Sequence, residues 1–192
     1  MTVKNQLRLI VAMTGLLLLA AACSAGKATP ETADTSTLPV VSLRGVDNKG
    51  AGLATGVRAP DFVLAYPDGT RSSLSDLRGQ PVLINFWASW CAPCRAEMPE
   101  LVDAFQQHKD QGLVVIGVNQ QESEDKALQF MQEFGIEFPV ALDSRGDLAS
   151  LYVARGLPTT YFIDRDGNIA EQWRGLLTAD LLQERLAPLL EQ

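Results

Sequence analysis

The feature that most restricts the fold of this chain is a pattern for a buried strand that runs into the start of a helix. Val82–Trp87 is an apolar run after a proline, as expected for a strand buried on both faces of a sheet. A helix is predicted at about 92–108, with Pro93 in its first turn, where proline is tolerated. A second buried-strand pattern follows at Leu113–Asn119, and this strand–helix–strand order is typical of the α/β class.

Two β-hairpin patterns flank this central unit. The first is predicted at 62–74 around Pro-Asp-Gly, and the second at 159–174 around Asp166-Gly167. The other predicted elements are a helix at 124–134, a short strand at 138–142, a short helix at 147–154 and a last helix from Thr178 to about Leu190. This order predicts a mixed central sheet with helices on both faces, that is, a three-layer α/β/α sandwich with an N-terminal β-hairpin extension.

The N-terminus has the pattern of an export signal. Lys4 and Arg8 precede the apolar run Leu9–Ala22, which predicts a signal peptide at 1–22. The alternative is a retained membrane helix, but about 14 residues span only about 21 Å of a hydrocarbon core roughly 30 Å thick. Residues 23–57, rich in Ala, Gly, Ser, Thr and Pro, are expected to form a flexible tether with a possible short strand at Val40–Leu43. The folded domain is then 58–192.

Cys23 directly follows this apolar run. LLLLAAAC resembles a bacterial lipoprotein signal, which implies that Cys23 carries a lipid and anchors the chain to the outer face of the cell membrane. The match departs from the usual pattern at Ala20, where a leucine is common. An ordinary signal-peptidase site at Ala20 and Ala22 is the alternative, and it would leave an unpaired thiol in an oxidising compartment.

Charge and cysteine content exclude two classes of protein. The formal net charge of −7 argues against a nucleic-acid binder, which needs a concentrated basic surface. Three cysteines, of which only two lie close together in sequence, do not make a disulfide framework.

Cys91 and Cys94 lie where the buried strand gives way to the helix. Cysteines three positions apart at a helix start have Cα atoms roughly 5–6 Å apart, within the range of about 4.4–6.8 Å for a disulfide. Unpaired N–H groups and the helix dipole favour the thiolate of Cys91. We expect Cys91 to attack a partner disulfide and the more buried Cys94 to resolve the mixed disulfide.

The pair has two other conceivable uses, a zinc site and a structural disulfide. Zinc needs about four ligands, and the chain offers no second cysteine pair and a single histidine, His108, which is expected to be exposed and inert. A purely structural disulfide across four residues would remove little chain entropy. A redox role is therefore favoured, with no metal and no cofactor.

NFWASWCAPCRAEMPEL together with GLPTTYFID resembles the thioredoxin superfamily, in particular its TlpA/ResA-like branch of exported thiol reductases. The similarity runs from about Ala59 to Leu190, and APDFVLAYPDG also resembles the opening of peroxiredoxins, the AhpC/TSA-Redoxin type of domain. The resemblance implies a thioredoxin-like fold and a thiol–disulfide oxidoreductase that acts on protein disulfides. We expect a monomer.

The resemblance also implies roles for residues near the cysteines. Pro158 is expected to be a cis proline that faces them, so that the backbone beside Leu157 pairs with a partner strand. Glu97 corresponds to a glutamate that accepts the proton of the resolving thiol, and the alternative is a solvated acid near a helix N-terminus. Thioredoxin itself has an aspartate where this chain has Asn85. The expected substrate-binding residues are Trp90, Ala92, Pro93, Leu157 and Thr159.

Several functions compete at this point. A peroxiredoxin-like peroxidase would need a proline and a threonine upstream of its cysteine, and neither precedes Cys91 at that spacing. A redox-inert binding module would have no reason to keep both cysteines. Ala-Pro between the cysteines lacks the histidine of strong oxidants, which favours a reductant. Cytochrome c maturation, in which apocytochrome c is the substrate, and general repair of exported thiols both remain open. A membrane thiol relay is the expected electron donor.

Overall fold

A computed structural model of the chain describes residues 40–47, 53–66 and 68–191. The strands are β1 Val40–Asp47, β2 Asp61–Ala65, β3 Arg71–Ser73, β4 Val82–Trp87, β5 Val114–Gln120, β6 Val140–Asp143, β7 Thr159–Ile163 and β8 Ile169–Arg174. The helices are α1 Ala92–His108, α2 Glu124–Phe134, α3 Asp147–Leu151 and α4 Ala179–Leu190. Every helix and hairpin predicted from the sequence is present, with ends that differ by a few residues.

The strands form one mixed sheet in the order β3-β2-β1-β6-β5-β4-β7-β8. β4, β5 and β6 are parallel, because helices α1 and α2 provide the crossovers between them. β7 lies antiparallel on the other side of β4, and β8 closes that edge as a hairpin with β7. The fully buried β4 therefore lies between β5 and β7, as its apolar sequence predicts.

Strand β1 lies within the predicted tether, residues 23–57, so part of that segment belongs to the sheet. Val40–Asp47 pairs in parallel with β6 and antiparallel with β2, so it joins the N-terminal hairpin to the central sheet. The possible short strand at Val40–Leu43 is real and longer than expected. Its sequence, VVSLRGVD, has only a weak alternation of apolar and polar residues, and pairing on both sides supplies what that local pattern lacks.

Helices cover both faces of the sheet, as expected for a three-layer sandwich. One core cluster contains Leu83 and Trp87 of β4 together with buried residues of α1, α2 and α4. The other contains Ile84 and Phe86 of β4 together with α3 and the N-terminal hairpin. Alternate residues of β4 thus point to opposite faces, and the odd-numbered ones point towards the helix that carries Cys94.

The predicted signal peptide 1–22, Cys23 and most of the predicted tether lie outside the described residues. Within the described part of the chain, no helix combines the length and the apolar character needed to cross a bilayer.

Candidate active site

The ends of four strands, β4, β5, β7 and β8, meet at the edge of the sheet where the cysteines lie. β5 is parallel to β4, so its last residue, Gln120, reaches the same edge as the motif that follows β4. β7 is antiparallel to β4 and begins at that edge, with Thr159 opposite Phe86. β8 ends there too, with Arg174 opposite Thr159. The loops around these strand ends therefore converge on the cysteine motif.

Cys91 and Cys94 are joined in a disulfide, with Cα atoms 5.3 Å apart, as the sequence spacing predicts. Cys91 is the N-cap residue of α1, and its Sγ accepts a hydrogen bond from the backbone N–H of Cys94 at 3.3 Å. Cys91 is 4% exposed and Cys94 fully buried. The N-terminus of a helix favours negative charge, and Cys91 lies at that position, whereas Cys94 lies further inside the helix.

Glu97 is buried beneath this end of α1, which excludes the alternative of a solvated acid. Its Oε1 accepts a hydrogen bond from Asn85 Nδ2 at 2.8 Å, and its Oε2 accepts one from the backbone N–H of Leu177 at 2.8 Å. Asn85 Nδ2 also donates to Thr160 Oγ1 at 2.9 Å. The side chain is therefore fixed from β4, β7 and the loop before α4, one helical turn beyond Cys94.

The ionisation of Glu97 is poised near neutral pH. Burial raises the pKa of Glu97 to about 7, although the hydrogen bonds from Leu177 and Asn85 favour the ionised form. A carboxyl group with a pKa close to the operating pH is well suited to take up and return a proton. Asn85, which cannot transfer a proton itself, serves here as a hydrogen-bond donor that orients Glu97.

The Leu157–Pro158 peptide bond is cis, as the family resemblance implies. Leu157 is half-buried and packs against the core cluster that contains both cysteines, and the carbonyl of Pro158 accepts a hydrogen bond from the N–H of Gly175 at 2.9 Å. Thr159 is fully buried, and its Oγ1 donates to the carbonyl of Gly156 at 2.7 Å. The Thr159 side chain thus holds the proline loop in place and is not presented to a partner, which corrects the predicted direct contact.

The surface beside the cysteines is apolar and exposed. Trp90 is 72% exposed, and Ala92 and Pro93 are exposed as well. Trp87, by contrast, is fully buried and stacks on Phe130 with ring centroids 4.3 Å apart. Trp90, Ala92 and Pro93 therefore form an exposed surface next to the disulfide.

A second buried carboxylate, Glu122, was missed by the sequence analysis. It follows β5 and accepts hydrogen bonds from the N–H and Oγ of Ser89, both at 2.6 Å, and from Asn119 Nδ2 at 2.8 Å. Ser89 lies two residues before Cys91. The signal that could have revealed Glu122 is its position just after a parallel strand adjacent to β4, because the carboxyl ends of parallel strands meet at one edge.

His108 is at the opposite end of α1 from the cysteines. It is half-buried, and neither of its shielded ring nitrogens has a hydrogen-bond partner among the described residues, so the expectation of an exposed histidine is wrong. Within the described ranges, no three His, Cys, Asp or Glu side chains are placed to share a metal ion.

Comparison with known proteins agrees with this geometry. The model of the AhpC/TSA family matches residues 55–172. The chain is 40% identical over 141 residues to the thiol-disulfide oxidoreductase ResA of Oceanobacillus iheyensis, covering 71% of this chain and 73% of that protein. It is 36% identical over 132 residues to ResA of Bacillus subtilis, covering 69% and 74%.

Solved structures agree as well. A crystal structure from Chlorobium tepidum, provisionally assigned as the thiol:disulfide interchange protein DsbE, superposes with a TM-score of 0.66 at 36% identity, covering 72% of this chain and 99% of that one. Fold, disulfide and relatives point to one activity, the exchange of thiols and disulfides. The chain belongs to the AhpC/TSA family, and within it to the ResA-like thiol–disulfide oxidoreductases of thioredoxin fold.

Proposed function

We propose that this protein reduces disulfide bonds in exported proteins through the Cys91–Cys94 pair, with oxidised apocytochrome c among its substrates. The observation that carries the proposal is the disulfide at the N-terminus of α1, with the buried Glu97 on one side and an exposed apolar surface on the other. The names of the ResA relatives support the exchange chemistry.

The proposed cycle begins with the reduced protein. The Cys91 thiolate attacks one sulfur of the substrate disulfide, which forms a mixed disulfide and releases the other substrate sulfur as a thiolate that takes up a proton. Glu97, ionised in part of the molecules, accepts the proton of the Cys94 thiol. The Cys94 thiolate then attacks Cys91 Sγ, which forms the internal disulfide and releases the reduced substrate.

The substrate is proposed to approach over Trp90, Ala92 and Pro93. An extended segment of the substrate pairs with the backbone beside Leu157, which gives affinity without a demand for one sequence. Two electrons pass to the substrate in each cycle. One of the two protons comes from Cys94 by way of Glu97 and the other from solvent, and a membrane dithiol relay is proposed to restore the electrons to Cys91 and Cys94.

The proposed location is the outer face of the cell membrane, with the chain anchored by a lipid on Cys23 after removal of residues 1–22. The supporting observation is the short apolar run that ends in Ala-Ala-Cys. Intact-mass measurement of the membrane-extracted protein tests this. We expect the mass of a chain that begins at Cys23 plus a diacylglyceryl group and a fatty acyl chain. A chain cut at the same place without lipid would contradict the anchor.

The activity is tested with full-length protein in detergent and two substrates, insulin and a peptide that carries an oxidised C-x-x-C-H segment. We expect both to be reduced in many turnovers when dithiothreitol supplies electrons, and hydrogen peroxide to be consumed no faster than by Cys91→Ser. Peroxide consumption with no disulfide reduction would instead identify a peroxidase.

A further inference from the structure

We infer that Glu122 is a positioning residue for the active-site turn, and that its negative charge keeps the Cys91–Cys94 pair reducing. The inference rests on the proposed function, because it concerns the direction in which the same cysteines exchange electrons. It depends on contacts that the proposed cycle does not use.

Glu122 binds the turn between β4 and Cys91 through its side chain. Both carboxylate oxygens are occupied by Ser89, one by its N–H and the other by its hydroxyl, and Asn119 of β5 supplies a third donor. The carbonyl of Ser89 accepts a hydrogen bond from Arg95 Nη1 at 3.4 Å. Hydrogen bonds with residues at the end of β5 and in α1 thus hold the turn between β4 and Cys91 in place.

The backbone immediately before Glu122 has an unusual conformation, which directs Glu122 towards the turn. Gln121 has φ 54°, in the left-handed region that residues other than glycine seldom adopt. Such a conformation is strained and persists only where the surroundings enforce it. The N–H of Gln121 donates to the carbonyl of Asp143 at 3.2 Å, which holds the strained residue in place. The chain therefore leaves β5 along a strained path that points Glu122 back towards the cysteine motif.

Glu122 carries a negative charge at neutral pH. Burial alone would raise the pKa of Glu122, but the hydrogen bonds from Ser89 and Asn119 and the nearby charge of Lys126 outweigh it and lower the pKa. Glu122 is therefore ionised at neutral pH. Because Ser89 is two residues from Cys91, the carboxylate lies roughly 10 Å or less from that residue. At such a distance, a unit charge shifts the pKa of a thiol by about one unit.

The sign of this effect favours reduction of the substrate. A negative charge near Cys91 makes its thiolate less favourable, which destabilises the dithiol form relative to the disulfide. The protein then gives up electrons more readily. Arg95 and Lys126, the cations next to this turn, act in the opposite sense, so removal of Glu122 leaves their effect uncompensated.

The test is the equilibrium of the purified full-length protein with glutathione, in which the dithiol and glutathione disulfide yield the protein disulfide and two glutathione molecules. In Glu122→Gln we expect the constant for oxidation of the protein to fall about five- to tenfold at pH 8, where tenfold corresponds to a potential higher by about 30 mV. The matched control is Glu124→Gln, which removes the same charge from an exposed position two residues away. It should change the constant less than twofold.

The variant Ser89→Ala distinguishes the effect of the Glu122 charge from the structural effect of its hydrogen bonds. It also tests the inference if Glu122→Gln fails to fold. The carboxylate loses one donor but keeps its charge, so its field at Cys91 grows, and the constant should rise about twofold. If Glu122 had only a structural role, the constant for oxidation would change in the same direction in both variants, or in neither. An unchanged constant in Glu122→Gln, or a fall in Ser89→Ala, would overturn the inference. If wild type and variants alike fail to reduce insulin, the proposed function fails instead.

Discussion

The two ends of the cysteine motif each face a buried carboxylate, and the two carboxylates differ in ionisation. Glu122 receives three hydrogen bonds and has a lowered pKa, whereas burial outweighs two hydrogen bonds at Glu97 and raises the pKa to about 7. One group, Glu122, stays ionised and binds Ser89, two residues before Cys91. The other changes its ionisation near neutral pH beside the resolving cysteine. Burial and hydrogen bonding together decide which of these behaviours each group has, because Glu97 is the more deeply buried, whereas Glu122 has more donors and the nearby charge of Lys126.

The largest effect is expected from removal of the attacking sulfur. Cys91→Ser should lower the rate of insulin reduction by at least about a thousandfold, because the serine hydroxyl is not ionised at neutral pH and cannot form a disulfide. Turbidity of the released insulin chains measures the rate. A variant that kept more than a tenth of the activity would show that Cys91 is not the nucleophile.

Cys94→Ser should affect the other half of the cycle. The first attack proceeds, but the mixed disulfide is not resolved, so the protein should accumulate as a covalent adduct with its substrate. Non-reducing gel electrophoresis and mass measurement detect the adduct. If Cys91→Ser formed such adducts instead, the assignment of the two cysteines would be reversed.

Glu97→Gln should slow turnover by about a hundredfold at pH 7, at the lower end of the factors of about 10²–10⁴ that general acid–base groups contribute. The variant should also lose the inflection near pH 7 in the rate of internal disulfide formation. Glu100→Gln, on the same helix and half-buried, is the control and should keep the wild-type profile. An inflection that persists in Glu97→Gln would assign it to another group.

In the oxidised protein neither Cys91 nor Cys94 titrates, so its stability should show the ionisation of Glu97 separately from theirs. The pKa of Glu97 is raised from 4.5 to about 7, so the folded protein binds this proton more tightly than the unfolded chain. Its stabilising contribution is complete below about pH 4.5 and is lost as the pH rises to about 7. Between pH 4.5 and 8, the unfolding free energy of wild type should therefore fall by about 2–3 kcal/mol relative to Glu97→Gln.

Denaturant unfolding of both oxidised proteins at several pH values measures this difference. If the two curves stay parallel, Glu97 has an ordinary pKa in the folded state. The contrast with Glu122 would then disappear.

The smallest effect is expected from Thr160→Val, which removes one acceptor from Asn85 Nδ2 and leaves the bond to Glu97. The cost should be about 1–2 kcal/mol in unfolding free energy, as for one buried hydrogen bond. The pH at which Glu97 titrates should move by less than half a unit. A larger shift would mean that Thr160 helps to set the pKa of Glu97.

Much of the fold and the centre of the site could be predicted from the sequence. The apolar runs of β4 and β5, the helix start at Cys91 and the turn signals of the hairpins are local, and all are found where expected. The cysteine spacing likewise gave the correct Cα separation. Local patterns succeed here because they coincide with the tertiary environment.

The rest could not be predicted because it depends on contacts between distant parts of the chain. β1 has a weak strand pattern and is stabilised by partners on both sides. The hydroxyl of Thr159 points inwards because it bonds to Gly156, and Leu177, far along the chain, donates its N–H to Glu97. Glu122 reaches Ser89 only because the strained backbone of Gln121 redirects the chain after β5.

The acidity of the attacking thiol tests the central claim most directly. Reduced protein is alkylated for short times with iodoacetamide between pH 4 and 10, and peptide mass analysis assigns the label to each cysteine. We expect Cys91 to react first, with a midpoint clearly below the value of about 8.5 for a free thiol, and Cys94 to stay protected at the same times. Labelling of both cysteines together with a midpoint at or above about 8.5 would contradict an active site built on an acidic thiol at the start of a helix.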